Sequence, residues 1–350
     1  MPPETSLQAP VLVTGAAGFI GRHLIAALLE RGVAARALLL RGESVPETWH
    51  DALEGGQLTV HRGDVTEPTS LAAPCDGVGT VVHLAAVVTD WGPEALFRRV
   101  TVGGTDNVLR AAAAGAPSGT SVRCVLASSI VVYGTHLRHR ACPEDTPFGS
   151  PVGVYSRAKQ AQEALARELA PKLGLELAVV RPANVFGLGS RPWQEMVAPL
   201  LETRQITLID GGDFDAGLVH VRNLCDLLLA AAAVLGTPDR DLSIPTYNAV
   251  DGFGITWRQY FGDLSAALGA PPPRSAPRWL AAPGARLFEA VSRLTGQRER
   301  PLLTREALNL VGSHLRLPSD RARTELGWSP RVGYDEAIAE IHAGLAADRA

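Results

Sequence analysis

The chain has 350 residues, of which 46% are hydrophobic and 20% charged, enough apolar material for a sizeable core and too much for global disorder. A formal net charge of −3 argues against a general nucleic-acid surface, leaving room for a local basic patch. Cys75, Cys124, Cys142 and Cys225 form no C-x-x-C pair, so they suggest neither a disulfide framework nor a zinc site and fit a reducing cytoplasm.

Residues 1–10 lack the basic start and apolar run of a signal peptide. The longest apolar stretch, 227–235, is far short of the roughly 20 residues that span a bilayer, so no integral membrane segment is expected. In chain order, strands are predicted at 11–14, 35–40, 58–61, 81–84, 123–128 and 177–181, and helices at 21–31, 105–114 and 155–170. That alternation predicts an α/β fold: a Rossmann-type doubly wound parallel sheet. The second half is less regular. Residues 184–192 predict a glycine- and proline-rich loop, 224–235 a buried helix, and 246–250 a strand returning to the sheet. The five prolines of 271–283 predict a linker or lid edge, and 286–300 an amphipathic basic helix, either a packed lid or a membrane contact. The expected division is a nucleotide-binding domain over 1–182 and a smaller, interleaved C-terminal substrate lobe over 183–350, with 215–250 returning to the first.

The first strand runs into Gly15-Ala-Ala-Gly18-Phe19-Ile20-Gly21. In this turn Gly15 permits the bend, Gly18 lets backbone approach a pyrophosphate, and Gly21 allows close helix packing. The second strand ends on Arg41, with no carboxylate before Glu43. An arginine there suits a 2′-phosphate, so NADP is expected ahead of NAD. Tyr155 and Lys159 lie four residues apart, on one helix face. A lysine beside a phenol favours the phenolate, which can exchange a proton with a substrate oxygen. Ser128 and Ser129 close a strand, where a serine can hydrogen-bond that oxygen. His136 and His139 have metal-ligand spacing but no third ligand, so no metal is expected.

Together the glycine turn, the serine segment and Tyr155/Lys159 resemble the extended short-chain dehydrogenase/reductases, the epimerase/dehydratase superfamily. Further segments carry the resemblance along the chain: Gly63-Asp64-Val65, the strand end at Leu84-Ala85-Ala86, Val100–Val108 with Thr101 where asparagine is usual, Arg181–Val185, and Leu218–Asn223 with arginine in place of aspartate. It implies Ser129, or failing that Ser128, as the residue orienting a carbonyl, Tyr155 as acid/base and Lys159 as the group lowering its pKa. It also implies a cofactor held by Asp64, Val65, Leu84, Ala85, Ala86, Pro182, Asn184 and Val185, besides the turn residues, and dimers built on helices 105–114 and 155–170. The segments around Trp91 and 301–307 are similar to the 3β-hydroxysteroid dehydrogenase-like branch. That branch implies a ketone or secondary alcohol on a sterol-like, polyketide or β-keto acid skeleton. Trp91, Phe186, Arg191, Trp193 and Met196 are then the candidate substrate contacts. The competing expectation is a sugar-nucleotide epimerase or dehydratase with tightly held NAD, its diphosphate met by Arg191, Arg204, Arg222 and Arg293.

Overall fold

The structure, a computed structural model, describes residues 7–236, 243–295 and 299–347. Most of the segment that bears on a signal peptide (1–6), part of the returning segment (237–242) and part of the basic helix (296–298) lie outside the described residues.

The strands in chain order are β1 Val11–Thr14, β2 Ala35–Leu39, β3 Leu58–Arg62, β4 Thr80–His83, β5 Arg123–Ala127, β6 Glu176–Pro182, β7 Asn184–Phe186, β8 Thr207–Ile209, β9 Leu218–His220, β10 Thr246–Ala249 and β11 Arg274–Ala276. Seven of them form one parallel sheet in the order β3-β2-β1-β4-β5-β6-β10. The order reverses between β1 and β4, the crevice where such sheets bind ligands. β1 is buried on both faces. Val11 and Val13 point to one core with Leu24, Leu28 and Leu228, and Leu12 to the other with Val108 and Leu169. Continuous apolar strands are what a sheet covered by helices on both sides requires.

One face is covered by helices Phe19–Glu30 and Val221–Ala233, the other by Gly104–Ala114 and Val154–Lys172. A third core, around Phe186, Trp257, Tyr260 and Tyr334, belongs to the C-terminal half, where β7 pairs with β9 and β8 with β11.

Two expectations change. The 184–192 loop holds β7 and the first residues of a wide helical turn, Arg191–Glu195. The proline-rich 271–283 segment is not a linker. It holds β11 and the start of a 17-residue helix, Arg278–Leu294, with Pro283 inside it. Proline within the first turns of a helix loses one hydrogen bond without ending the helix, so it misleads as punctuation.

Gly15 adopts φ +67°, and a Cβ there would lie 3.1 Å from the Ala85 nitrogen, so the turn presses on the end of β4. Gly21 is tighter still: its Cβ would lie 2.3 Å from the Gly15 carbonyl oxygen. Gly21→Ala should therefore push the helix off the turn. We expect a loss of about 1–3 kcal/mol of stability and nucleotide binding weakened by more than about tenfold. Thermal melts with and without nucleotide will check both.

Candidate active site

The helix Phe19–Glu30 starts at Gly18, which places no side chain over the first N–H groups, and its first turn holds no acid. The turn and the exposed Gly18 thus leave a backbone cradle at the positive end of a helix, a fit for a dinucleotide pyrophosphate. Phe19 and Ile20 are half-buried beside it. Leu84, Ala85 and Ala86 are half-buried just after β4, where the Ala85 backbone abuts Gly15. Asp64 lies at the end of β3, its Oδ1 accepting from the Thr66 N–H at 2.8 Å, and the Val65 carbonyl accepts from Asn107. Arg41 is exposed at the end of β2. The Glu43 carboxylate folds back there, accepting from the Leu40 N–H at 2.8 Å, so an acid and an arginine share the corner. Pro182 ends β6, and Val185 is half-buried beyond it. Asn184 is buried and donates to the Ala216 carbonyl at 2.6 Å, which ties β7 in place.

The catalytic-helix side is built on β5. Ser129 caps the helical turn Ile130–Tyr133, accepting from the Val131 N–H at 3.3 Å, and its hydroxyl lies near enough to the Tyr155 phenol to favour the phenolate. Ser128 points the other way, donating to Glu163 at 2.7 Å. Geometry thus separates the two serines. Burial drives the Tyr155 phenol above its ordinary value, partly offset by Ser129, and the Glu306 charge pushes the same way as burial. Lys159 is 3% exposed and is pulled down to about 7 by burial, against the Glu163 charge. Its ammonium donates to the Ala127 carbonyl at 2.9 Å and to Gln162 Oε1 at 2.8 Å. Burial is the largest influence on both groups, and two of the ammonium's three donors are engaged by Ala127 and Gln162.

A buried chain continues from Lys159. Gln162 donates to Thr105 Oγ1 at 2.8 Å, and Thr105 donates to the Thr101 carbonyl at 2.7 Å. With that hydroxyl proton committed, His83 Nε2, 2.8 Å away, must be the donor to Thr105. His83 Nδ1 then accepts from Thr14, 2.7 Å away. A neutral imidazole is required, and burial, with Lys159 nearby, depresses His83 to about 3. Thr14 also accepts from the Leu84 and Ala85 N–H groups, at 3.2 Å each. The crevice wall and Lys159 are thus joined by one string of hydrogen bonds.

Beneath the site lies a buried ion pair. Arg181 Nη2 and Nε meet Glu163 Oε1 and Oε2 at 2.6 and 3.1 Å, and Arg167 joins at 2.9 Å. Burial pushes Glu163 up, but the Arg181 hydrogen bond and charge outweigh it, with Arg167 and Ser128 adding to them, so the carboxyl stays low.

The candidate substrate contacts are dispersed. Trp91 is half-buried, with Arg293 5.5 Å over its ring. Trp193 is half-buried and stacks on Trp257 at 4.7 Å. Met196 and Arg191 are exposed. Phe186 is fully buried, 5.4 Å from His220 and 5.9 Å from Tyr260, so it packs the lobe core and presents no surface to a ligand. Arg222 is held by Glu336 and Glu340, and Arg293 by Glu289. No group of three or more His, Cys, Asp or Glu suited to a metal occurs among the described residues.

Residues 11–245 match the NAD dependent epimerase/dehydratase family. The chain belongs to that family. It is 28% identical to a 4-hydroxy-2-methyl-3-oxo-4-farnesyl-3,4-dihydroquinoline-1-oxide ketoreductase of Stigmatella aurantiaca, over 93% of both chains. It is 27% identical to a 2-alkyl-3-oxoalkanoate reductase of Stenotrophomonas maltophilia, over 96% of this chain and 99% of that one. A 3 beta-hydroxysteroid dehydrogenase/Delta 5-->4-isomerase of Mycobacterium tuberculosis is 26% identical over 94% and 88%. Among solved structures, MoeE5 in complex with UDP-glucose and NAD superposes with a TM-score of 0.70 at 24% identity, covering 98% of this chain and 100% of that one. The UDP-glucose 4-epimerase of Thermotoga maritima gives 0.70 at 19%, covering 97% and 99%; at these identities the likeness speaks to fold alone. The family and these relatives make the chain an NAD-dependent enzyme of the short-chain dehydrogenase/reductase kind, related to 3β-hydroxysteroid dehydrogenases and ketoreductases.

Sequence reasoning missed Glu163, Gln162 and Glu306 as parts of this site. Glu163 was discoverable: it lies one turn after Lys159 on the same face. Glu306 comes from the far half of the chain. Its Oε1 accepts from the Ser156 N–H at 2.7 Å, while Oε2 is buried with no partner among the described residues. Burial, with Asp90 adding to it, raises its carboxyl to about 7.

Glu163→Gln should cost about 3–5 kcal/mol, because Arg181 is left buried without its counter-charge. A carboxyl held low in the fold stabilises above its unfolded pKa of about 4.3 and loses that contribution as pH falls through the folded value. Urea unfolding should therefore show a wide gap between wild type and variant at neutral pH, narrowing below about pH 4.

Proposed function

We propose that the enzyme interconverts a ketone and a secondary alcohol on an apolar substrate, with Tyr155 as acid/base. What carries this reading is the set of relatives: a ketoreductase, an oxoalkanoate reductase and a hydroxysteroid dehydrogenase, each matched over most of its length. The arginines divide, Arg222 and Arg293 being engaged by carboxylates while Arg191 and Arg204 are exposed with no ion pair among the described residues.

In this reading Ser129 holds the reacting oxygen against Tyr155, whose phenol its hydroxyl already favours as the phenolate. The phenol, kept protonated by burial, gives its proton to that oxygen in reduction and takes it back in oxidation. Lys159, with two of its three donors given to Ala127 and Gln162, stands one helical turn away and would hold the nicotinamide ribose with the third. When bound, the nicotinamide supplies or accepts the hydride. We further propose that NADP is preferred, since Arg41 and Arg62 bring two cations to the corner where a 2′-phosphate would sit. Glu43, in the same corner, is the group that would reverse this preference.

The competing reading is a sugar-nucleotide epimerase or dehydratase that keeps its NAD. Its support is the whole-chain likeness in fold to enzymes solved with UDP-glucose.

Purified protein given NADPH or NADH with cyclic ketones, β-keto acids and UDP-sugars should oxidise nucleotide steadily with an apolar ketone. Isomerised UDP-sugar without net oxidation would transfer the enzyme to the competing reading. Tyr155→Phe should keep nucleotide binding and lose turnover by about 10²–10⁴-fold. Arg41→Ala should lower the NADPH-to-NADH ratio of kcat/KM by about tenfold, the worth of one charge-assisted hydrogen bond. An unchanged ratio would remove Arg41 from cofactor choice.

A further inference from the structure

The helix Arg278–Leu294 is packed inside out. The side chains it buries are Ala285, Glu289 and Ser292, with Ala281 and Ala282 half-buried beside them. Its large apolar residues, Trp279, Leu280, Leu287, Phe288, Val291 and Leu294, all face outward, Trp279 at 76% and Leu294 at 88% exposure. Folding alone does not explain this pattern. A helix that serves only a core turns such residues inward, and a contiguous apolar patch marks a contact surface.

Charge decides which contact. The helix carries Arg278, Arg286 and Arg293 and one acid, Glu289. Glu289 is buried and bound by Arg305, which it meets at 2.7 Å through the backbone N–H and 2.8 Å through the guanidinium. Arg278 is half-buried and donates to the Gly312 carbonyl, so the exposed charges of this helix are Arg286 and Arg293, the latter 3.5 Å from Glu289 but still 63% exposed, and both are positive. A second copy docked on the same face would offer these arginines no exposed acid of this helix to pair with, since Glu289 is buried. An anionic lipid surface takes both features at once: acyl chains receive the apolar face, headgroups receive the arginines, and tryptophan sits at the boundary.

We propose that this helix docks the protein onto an anionic bilayer, lying in the plane of the interface. The contact is peripheral, because no described helix is long and apolar enough to cross a membrane. The proposal stands whatever the substrate proves to be.

The test is co-sedimentation of the full chain with vesicles of phosphatidylcholine, alone or mixed equally with phosphatidylglycerol. Wild type should pellet with the mixed vesicles, pellet less with the neutral ones, and be released by salt. Trp279 fluorescence should shift to the blue, and the shift should vanish in Trp279→Phe. The triple variant Leu287→Glu, Val291→Glu, Leu294→Glu should bind mixed vesicles more than about tenfold more weakly. Its melting temperature and nucleotide binding should stay those of wild type, since all three residues are exposed and outside the candidate site. Wild type remaining in the supernatant with both vesicle types, or a triple variant that pellets like wild type, would overturn the proposal. So would a wild-type dimer that ignores vesicles and that the triple variant dissolves, which would give the face to a second copy.

Discussion

The catalytic face hangs on one buried carboxylate. Glu163 sits in the helix that carries Tyr155 and Lys159, and it accepts from Arg181 on β6 and from Ser128 at the end of β5. One side chain thus sets the height of the helix over two strands. Arg181 extends the grip, donating to the Tyr133 hydroxyl at 2.9 Å and to the Glu144 carbonyl at 3.0 Å, and Tyr133 donates to Asn248 on β10. A buried pair contributes little net stability over an apolar one. What it contributes here is register. Ser128 is turned inward by this carboxylate, and its neighbour Ser129 is left to face Tyr155.

Burial has a second effect on the same helix. It disfavours charge on both reacting groups, raising the Tyr155 phenol and lowering Lys159 to about 7. The free site therefore holds a protonated phenol beside a lysine whose proton is weakly held at neutral pH. A pair of this kind responds to any new charge brought into the crevice, because in a desolvated place one charge moves both equilibria. The chain from Lys159 through Gln162, Thr105 and His83 to Thr14 fixes the lysine in position without adding charge, since His83 is neutral and the rest are hydroxyls and an amide. Lys159 is thereby held by dipoles on one side and by Glu163 electrostatically on the other.

How much of this was legible in the sequence follows from distance along the chain. Strands β1 to β6 and β10 were readable because each is a short β-branched or apolar run bounded by turn residues. The glycine turn and the Tyr155/Lys159 pair were readable because their chemistry sits within a few residues. The three-residue strands β7, β8, β9 and β11 carry no periodicity to detect, since alternation needs at least about four residues. Phe186 looked like a pocket wall because aromatic residues near a site have two uses, and only packing against Tyr260 and Tyr334 distinguishes them. Arg181 was legible as part of a cofactor-side segment and Glu163 was missed, because their pairing depends on how the helix Val154–Lys172 packs over β6, which is a tertiary fact.

Glu306 shows what such long-range contacts accomplish. The segment carrying it is fastened at three places. Arg300 and Thr304 both bind Asp90, in the loop after β4, at 2.5–2.7 Å. Arg305 binds Glu289 on the outward-facing apolar helix, and Glu306 receives the Ser156 N–H at the start of the catalytic helix. Gly153 is required there, because a Cβ would lie 2.1 Å from Glu306 Oε2. Two adjacent side chains, Arg305 and Glu306, thus join the apolar helix and the start of the catalytic helix to one short segment, and neither contact could be read from residues near each other in the sequence.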